Sequence, residues 1–172
     1  MARGCRPMDR FTPGPATQRQ FRDALGCFAT GVTVVTVGDA AGPVGMTANS
    51  FASVSLDPPL ILWSPACASG RFAAMTGAER FAVHVLGAGE KAIAQRFARS
   101  GAAFEGLAME WAEAGPPLLD EGWIARFLCT RVAVHDAGDH AIVVGRVDEV
   151  ARREGPPLVF AGGAFGDFSP AE

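Results

Sequence analysis

The sequence predicts a mainly β fold: an antiparallel barrel that is closed or nearly closed, with a few short flanking helices. Roughly seven short stretches rich in β-branched and other apolar residues follow one another, and turn residues separate them. Helical periodicity is confined to short segments, so the strands do not alternate regularly with long helices. That pattern disfavours a doubly wound parallel sheet.

The first part of the chain is predicted to form one helix followed by four strands. Residues 18–29 carry apolar side chains at the spacing of one helical face, and Thr17 stands where an N-terminal cap belongs. The predicted strands are residues 32–37, 44–48, 52–56 and 60–63. Pro58 and Pro59 separate the last two, because proline lacks the N–H that a strand ladder needs.

The rest of the chain is predicted to add two helices and further strands. The predicted helices are residues 69–75 and 90–99, and the predicted strands are residues 81–86, 124–135, 141–150 and 158–161. Residues 101–117 are expected to form an irregular surface excursion, and a glycine-rich tail follows the last strand. Together the elements predict one domain at residues 17–168, preceded by a flexible N-terminal tail at residues 1–16.

The composition excludes several classes of protein. At 172 residues, with 49% hydrophobic and 19% charged residues, the chain can bury a core and is too apolar to be disordered. No apolar run approaches the roughly 18 residues that span a bilayer, and no secretory signal opens the chain, so we expect a cytoplasmic protein without membrane contact. The net charge of −3 comes without a basic stripe, which disfavours nucleic acid as a partner. Four scattered cysteines predict free thiols and no metal site.

Residues 45–55 form the most unusual stretch of the sequence. Four short hydrogen-bonding side chains interrupt what otherwise resembles a strand: Thr47, Asn49, Ser50 and Ser53. An ordinary buried strand would carry valine or isoleucine there. Asn49 and Ser50 in the middle of a sheet indicate a bulge that turns backbone donors towards a ligand. The alternative is a polar edge strand that faces water.

A second polar stretch, residues 68–72, coincides with the start of a predicted helix. Ser69 stands where a helix cap belongs, and capping alone accounts for it. A hydroxyl, a glycine and the neighbouring Arg71 at a helix start also suit a phosphate group. The two interpretations are compatible, because a phosphate can share the free N–H groups with the cap.

The three histidines of the chain differ in context. His84 and His135 lie within strand patterns and are predicted to be structural. His140 follows Gly138 and Asp139 at a turn between two long strands, where functional side chains concentrate. Gly-Asp is also ordinary turn chemistry, so the spacing alone leaves the role of His140 open.

Motifs of several enzyme classes are missing from the sequence. No Gly-x-Ser-x-Gly elbow indicates a serine nucleophile, and no pair of carboxylates lies in an apolar run. No Gly-x-Gly-x-x-Gly opens a helix after the first strand, so a nicotinamide or flavin would be held without a Rossmann unit. A cleft lined by hydroxyls, amides and backbone suits a cofactor that brings its own reactivity.

Four segments, taken together, resemble a known family. They are residues 28–36, 45–51, 53–59 and 138–140. In order and separation they are similar to the short-chain flavin reductases, the reductase components of two-component flavin monooxygenases. That family is built on the FMN-binding split barrel, an antiparallel split β-barrel, and the likeness runs from about residue 21 to residue 165.

The resemblance implies a set of site residues and cofactors. The implied contacts to the isoalloxazine ring and ribityl chain are Thr47, Ala48, Asn49, Ser50, Phe51, Ser53 and Val54. Those implied at the flavin phosphate are Ala68, Ser69 and Gly70. His140 is expected to touch the nicotinamide or the flavin edge. The implied cofactors are FMN or FAD with NADH or NADPH, and the implied assembly is a homodimer; the family often has asparagine where this chain has His84.

The function implied by the resemblance is reduction of free flavin by NAD(P)H, with hydride transfer to flavin N5. Reduced flavin would then diffuse to a partner monooxygenase. One alternative is an FMN oxidase of the pyridoxamine-phosphate type, which needs basic residues for a second phosphate. The other alternative is a protein of the same fold that holds flavin or haem without catalysis.

Overall fold

The structure of the chain is a computed structural model that describes residues 8–111 and 115–170. Its helices are a 3₁₀ turn at Pro15–Thr17, α1 (Gln18–Leu25), α2 (Phe72–Gly77) and α3 (Lys91–Arg99). Its strands are β1 (Thr30–Gly31), β2 (Thr33–Asp39), β3 (Gly42–Ala48), β4 (Ala52–Leu56), β5 (Pro59–Trp63), β6 (Arg80–Leu86), β7 (Met109–Glu110), β8 (Leu118–Leu119), β9 (Trp123–Ala137), β10 (His140–Arg152), β11 (Leu158–Ala161) and β12 (Ala164–Asp167). Residues 1–7 of the predicted tail, with Cys5, lie outside the described residues, as do residues 112–114 of the predicted excursion.

Seven strands form one antiparallel sheet in the order β3-β2-β6-β9-β10-β5-β4. A three-stranded sheet, β1-β11-β12, and the short pair β7-β8 flank it. Apolar side chains from both halves of the large sheet meet in a single cluster, among them Val35 of β2, Met46 of β3 and Trp63 of β5. The sheet therefore curls around one core, and the prediction of a mainly β antiparallel barrel with few short helices is confirmed.

The barrel core is packed closely around aromatic rings. Trp63 and Phe81 are fully buried, with ring centroids 6.0 Å apart. Gly145 of β10 faces Phe81 without a side chain, and a Cβ at this position would overlap Phe81 Cζ. The absence of a side chain at Gly145 therefore makes room for the Phe81 ring, and any larger residue at this position would force the core to shift.

Strand β2 is buried on both faces, which explains its uninterrupted run of β-branched residues. Val35 and Val37 point into the barrel core. Val32, just before the strand, and Val34 pack in an outer cluster with Phe97 of α3. A strand covered on both sides gains nothing from alternating polar residues, so its sequence is continuously apolar apart from buried threonines.

Every predicted helix and strand is present, most with shifted bounds, and the structure adds the short strands β1, β7, β8 and β12, of which β7 lies in the predicted irregular excursion. Strands β4 and β11 have the predicted bounds, whereas β9 and β10 extend further at both ends than expected. The predicted glycine-rich tail contains a twelfth strand, β12, which pairs with β11 through a turn at Gly162 and Gly163. Two consecutive glycines resemble a flexible tail in sequence, but both have positive φ here and form a tight turn.

Helix α1 is shorter than predicted, and none of its residues is buried against the described part of the chain. The helix ends at Leu25 instead of Ala29, and Thr17 makes no side-chain capping hydrogen bond. Its single hydroxyl hydrogen is shared between Thr12 O at 2.9 Å and Gly14 O at 3.2 Å. Phe21 and Leu25 are 43% and 60% exposed. No helix among the described residues has the length and apolar character to cross a bilayer.

His84 is fully buried on β6 and joins three segments. The backbone N–H of Leu119 donates to Nε2 at 3.1 Å, so the hydrogen of the neutral ring lies on Nδ1, which is 3.2 Å from Val34 O and donates to it. Burial lowers the pKa of His84 from 6.5 to about 4. The imidazole is therefore a neutral structural link, in line with its predicted role.

This burial makes stability depend on pH. The unfolded chain binds a proton at His84 below pH 6.5, whereas the folded chain stays neutral until about pH 4. The stability contributed by neutral His84 is therefore complete above pH 6.5 and falls by up to about 3 kcal/mol as the pH drops towards 4. Urea unfolding at several pH values gives the free energy of unfolding of wild type and of His84→Asn. Their difference isolates the His84 contribution, because the asparagine does not titrate.

The two unfolding curves should converge as the pH falls from 6.5 to 4, since only wild type loses the His84 contribution. His135→Asn, at an exposed position of β9, is the matched control and should follow wild type at every pH. Parallel pH dependences of wild type and His84→Asn would contradict the assignment.

Candidate functional site

The two end strands of the large sheet, β3 and β4, are consecutive in the chain and border an open seam in the barrel. Residues 49–51 cross from one to the other. The predicted bulge at Asn49 and Ser50 in the middle of a sheet is therefore wrong: these residues form the connection between two sheet edges. The bulge lies instead in β4, where the pairing with β5 shifts between Ser53 and Ser55. Short polar residues suit a connection as well as a bulge, so the sequence did not distinguish them.

A pair of serines fixes this connection to the end of β5. The backbone N–H of Ser64 donates to Ser50 Oγ at 2.9 Å, and the Ser50 hydroxyl lies 3.3 Å from Ser64 O, to which it donates. Because the Ser50 hydroxyl already donates its hydrogen to Ser64 O, it can only accept a hydrogen bond from a ligand.

A cleft of ≈ 240 Å³ opens beside this connection. Its lining contains six of the residues predicted to form the site: Thr47, Ala48, Asn49, Ser50, Ser69 and His140. Four further residues complete it: Met46, Ser64, Ala66 and Arg71. The fold therefore brings three separate segments of the chain to one cleft: residues 46–50 at the end of β3 and in the connection, the loop after β5, and the first residue of β10.

Five other predicted site residues are close in sequence to the lining residues but do not line the cleft themselves. Phe51 packs against Phe127, with ring centroids 5.6 Å apart, and is half-buried. Ser53 and Val54 are exposed on the edge strand β4. Ala68 and Gly70 are exposed on either side of Ser69.

The loop between β5 and α2 presents backbone donors to solvent. Helix α2 begins at Phe72 rather than at the predicted residue 69, because residues 66–71 form successive turns before it. Ser69 Oγ accepts from the N–H of Arg71 at 3.2 Å. Within the described part of the chain, the N–H groups of Ala68 and Gly70 have no acceptor. These free donors suit an anionic oxygen.

Arg71 links this loop to two other elements. Its Nη1 donates to Phe97 O at 2.6 Å and to Gly45 O at 3.2 Å, and its Nη2 donates to Ala98 O at 3.3 Å. Burial lowers the pKa of Arg71. No carboxylate among the described residues forms an ion pair with it. One wall of the cleft therefore carries a positive charge that only carbonyl dipoles offset.

His140 reaches the cleft through the pairing of β10 with the loop after β5. The N–H of Cys67 donates to Asp139 O at 2.8 Å, and the N–H of Ala141 donates to Pro65 O at 3.1 Å. Asp139 Oδ1 lies 2.8 Å from His140 Nδ1, and this hydrogen bond lowers the pKa of Asp139. With Nδ1 donating to the carboxylate, Nε2 is the ring nitrogen left for a ligand.

Thr47 and Asn49 differ in what they can offer a ligand. The Thr47 hydroxyl donates to Ala94 O of α3 at 2.6 Å, so it can only accept from a ligand. The exposed side chain of Asn49 makes no hydrogen bond to another described residue. Its amide therefore keeps both donor and acceptor capacity.

Three lining residues were not predicted from the sequence, namely Met46, Ser64 and Ala66, and the role of a fourth, Arg71, was left open. Ser64 and Ala66 follow a buried strand and flank a proline, which is a turn signal with no indication of a ligand. Met46 belongs to the barrel core as well as to the cleft. Arg71 was noted only as a nearby cation, because its three carbonyl acceptors come from segments distant in sequence.

The arrangement suits binding more than acid–base chemistry by the protein. Its lining contains hydroxyls, an amide, one arginine and one histidine, and no carboxylate. Such a site can bind and orient a flat, phosphate-bearing cofactor, and the cofactor supplies the reactivity.

Known proteins resemble the chain along most of its length. FMN reductase (NADH) SmoA of Agrobacterium fabrum is 56% identical over 159 residues, which cover 92% of this chain and 91% of that protein. The flavin-dependent monooxygenase reductase subunit HsaB of Rhodococcus jostii is 39% identical over 156 residues, 88% of this chain and 78% of that protein.

A solved structure and a family description agree with these relatives. The Streptomyces globisporus NADH:FAD oxidoreductase SgcE6, in complex with NAD and FAD fragments, superimposes with a TM-score of 0.83 at 39% identity, covering 94% of this chain and 98% of that one. The fold expected from the resemblance is thereby confirmed. Residues 25–169 match the family described as flavin reductase like domain. The chain belongs to this flavin reductase family.

Proposed function

We propose that the protein catalyses the reduction of free FMN or FAD by NADH or NADPH. The observation that supports this most strongly is the cleft at the seam, which gathers six predicted site residues from three separate segments of the chain. The relatives named as NADH-dependent FMN and flavin reductases support the same reaction.

The residues at the seam fit a flavin nucleotide. Asn49 has a free amide for a polar ring edge, and Thr47 and Ser50 offer acceptors to ribityl hydroxyls. The free N–H groups of Ala68 and Gly70, with the hydroxyl of Ser69, suit the phosphate, and the charge of Arg71 favours a dianion. In this proposal Ala48 lies under the ring, and Phe51, Ser53 and Val54 border it.

His140 acts on the nicotinamide side of the site. Bound flavin supplies the chemistry, since its N5 accepts the hydride of the nicotinamide. The residues of the chain hold and orient: Asp139 fixes the imidazole through Nδ1–H, and Nε2 accepts a hydrogen bond at the nicotinamide or flavin edge. Holding two bound reactants in the correct orientation contributes a large part of the rate enhancement in such a hydride transfer.

Reduced flavin leaves the site for a partner monooxygenase. Relatives named as reductase components of flavin-dependent monooxygenases support this step. The reaction is assigned to the cytoplasm, where the exposed thiols of Cys27 and Cys67 would stay reduced.

The working assembly in this proposal is a homodimer, and helix α1 contributes to its interface. The helix has eight residues and buries none of them against the described part of the chain. A helix of this length has marginal stability alone, so its apolar face needs a covering surface. Phe21 and Leu25 of the helix, with Phe28 just after it, are exposed by 43%, 60% and 78% and provide that apolar surface.

Light scattering after gel filtration tests the dimer. Wild type should elute with twice the mass of one chain, and Leu25→Glu should shift the protein towards the monomer because it introduces a charge into an apolar contact. Arg19→Glu, on the opposite face of α1, is the control and should leave the dimer intact. A monomeric wild type would refute the assembly without touching the proposed reaction.

Steady-state oxidation of NADH and NADPH by the purified protein, with FMN or FAD in excess, tests the reaction itself. Turnover should require added flavin, because flavin is a substrate in this proposal, and the fastest pair identifies both specificities. Amine oxidation without a nicotinamide would indicate the oxidase. Tight flavin binding without turnover would indicate a carrier.

Ser69→Ala tests the phosphate assignment. Loss of one hydrogen bond to a charged group should weaken FMN binding by about 1–2 kcal/mol, and riboflavin, which lacks the phosphate, should bind as before. Titration of protein fluorescence with each flavin measures the two affinities. Ser100→Ala, at an exposed serine after α3, serves as the control. An unchanged affinity for FMN would refute the assignment.

His140→Ala tests the nicotinamide contact. Reduction of bound flavin by NADH should slow by about tenfold, as expected for one lost orienting contact, while FMN affinity stays within about twofold. Stopped-flow measurement of flavin bleaching gives the rate. His135→Ala removes a histidine outside the cleft and should reduce flavin at the wild-type rate. Loss of FMN affinity alone would contradict this role.

A further inference from the structure

The loop after β5 is anchored on both sides of the residues that are proposed to hold the flavin phosphate. Its first residue, Ser64, is joined to Ser50 by two hydrogen bonds. Its last residue, Arg71, donates to backbone carbonyls of β3 and α3. Residues 68–70, whose backbone N–H groups face the proposed phosphate, lie between these fixed points, so a ligand bound there acts on a segment that is tied to the rest of the site.

The turn that carries His140 is anchored to this same loop. Two backbone hydrogen bonds cross between them: the N–H of Cys67 donates to Asp139 O at 2.8 Å, and the N–H of Ala141 donates to Pro65 O at 3.1 Å. The two segments also form an isolated antiparallel bridge at His140. The side chains of Asp139 and His140 are 95% and 44% exposed. His140 therefore takes its position from the loop as well as from the partner strand β9.

A phosphate bound at the loop restricts both segments together. A dianion that accepts hydrogen bonds from the N–H groups of Ala68 and Gly70 removes conformational freedom from the middle of the loop. Because backbone hydrogen bonds join residues 65–67 to residues 139–141, this order extends to the imidazole of His140. Binding energy from an unreactive part of a substrate then contributes to orientation at the reacting centre.

We propose that the flavin phosphate helps to position His140, so that it raises the rate of hydride transfer as well as the affinity for flavin. This rests on the proposed function, in which Ser69 contacts the phosphate and His140 contacts the nicotinamide. Hydride passes from C4 of the reduced nicotinamide to flavin N5, which leaves an oxidised nicotinamide cation and a reduced flavin anion, and the phosphate takes no covalent part. The enzyme thereby selects phosphorylated flavins over riboflavin twice, by affinity and by rate.

Single-turnover reduction of FMN and of riboflavin compares two substrates with the same reactive ring. With protein in excess over flavin and saturating reduced nicotinamide nucleotide, wild type should reduce bound FMN about tenfold faster than bound riboflavin, as expected for one orienting contact. In His140→Ala the two rates should lie within about twofold of each other, because the group that conveys the advantage is gone. His135→Ala, at an exposed position of β9, is the control and should keep the wild-type ratio.

Inorganic phosphate tests the link between the loop and the turn without any flavin. At a concentration that competes with FMN, and against chloride at the same ionic strength, phosphate should slow deuterium exchange at the amides of residues 139–141 at least about twofold in wild type. Ser69→Ala should reduce this protection, because its contact to the anion is weakened. Ser100→Ala, at the exposed serine after α3, is the control and should retain it.

Equal rates for bound FMN and bound riboflavin in wild type would overturn the proposal, even if FMN binds more tightly. An FMN advantage that persists in His140→Ala would also overturn it, since the phosphate would then act through its charge and not through His140. Unchanged exchange at residues 139–141 has the same consequence. Failure of the reductase proposal looks different, because wild type would then reduce neither flavin with NADH or NADPH.

Discussion

Strands β3 and β4 stand at opposite ends of a seven-stranded sheet, although only residues 49–51 separate them in the chain. Such a short connection holds the two sheet edges close together, yet no hydrogen-bond ladder joins them. The barrel consequently stays open along one seam, and the polar groups that a ladder would consume remain available there. The cleft beside residues 49–51, and the reaction proposed for it, depend on this seam.

Hydrogen bonds from buried polar side chains fix the positions of the strands and loops around the seam, which apolar packing alone does not specify. Thr33 and Thr36 donate to Ala48 O and Pro117 O, and His84 connects β2 to the β8 strand through Val34 and Leu119. Arg71 does the same at the surface, where it binds carbonyls of β3 and α3. Each of these groups is satisfied by backbone, so it specifies a position without adding a reactive side chain.

Much of the fold was predictable from local pattern, because β-branched runs and turn residues report directly on backbone preference. Strands β4 and β11 kept their predicted bounds for this reason. Strand β12 escaped prediction because Gly162 and Gly163 resemble a tail unless their partner strand is known. Six site residues were predicted into the cleft that contains them, whereas Ser64, Ala66 and Met46 gave no signal, since their chemistry is ordinary and only their location is special.

The order of residue types along the chain was enough to predict the class of fold, the polar character of residues 45–55 and the family of the chain. Only the folded chain shows that Asn49 and Ser50 connect two sheet edges and that Arg71 lines the same cleft as His140. The reason is physical: these neighbours are brought together by pairing between strands far apart in the chain, and no local preference encodes that distance.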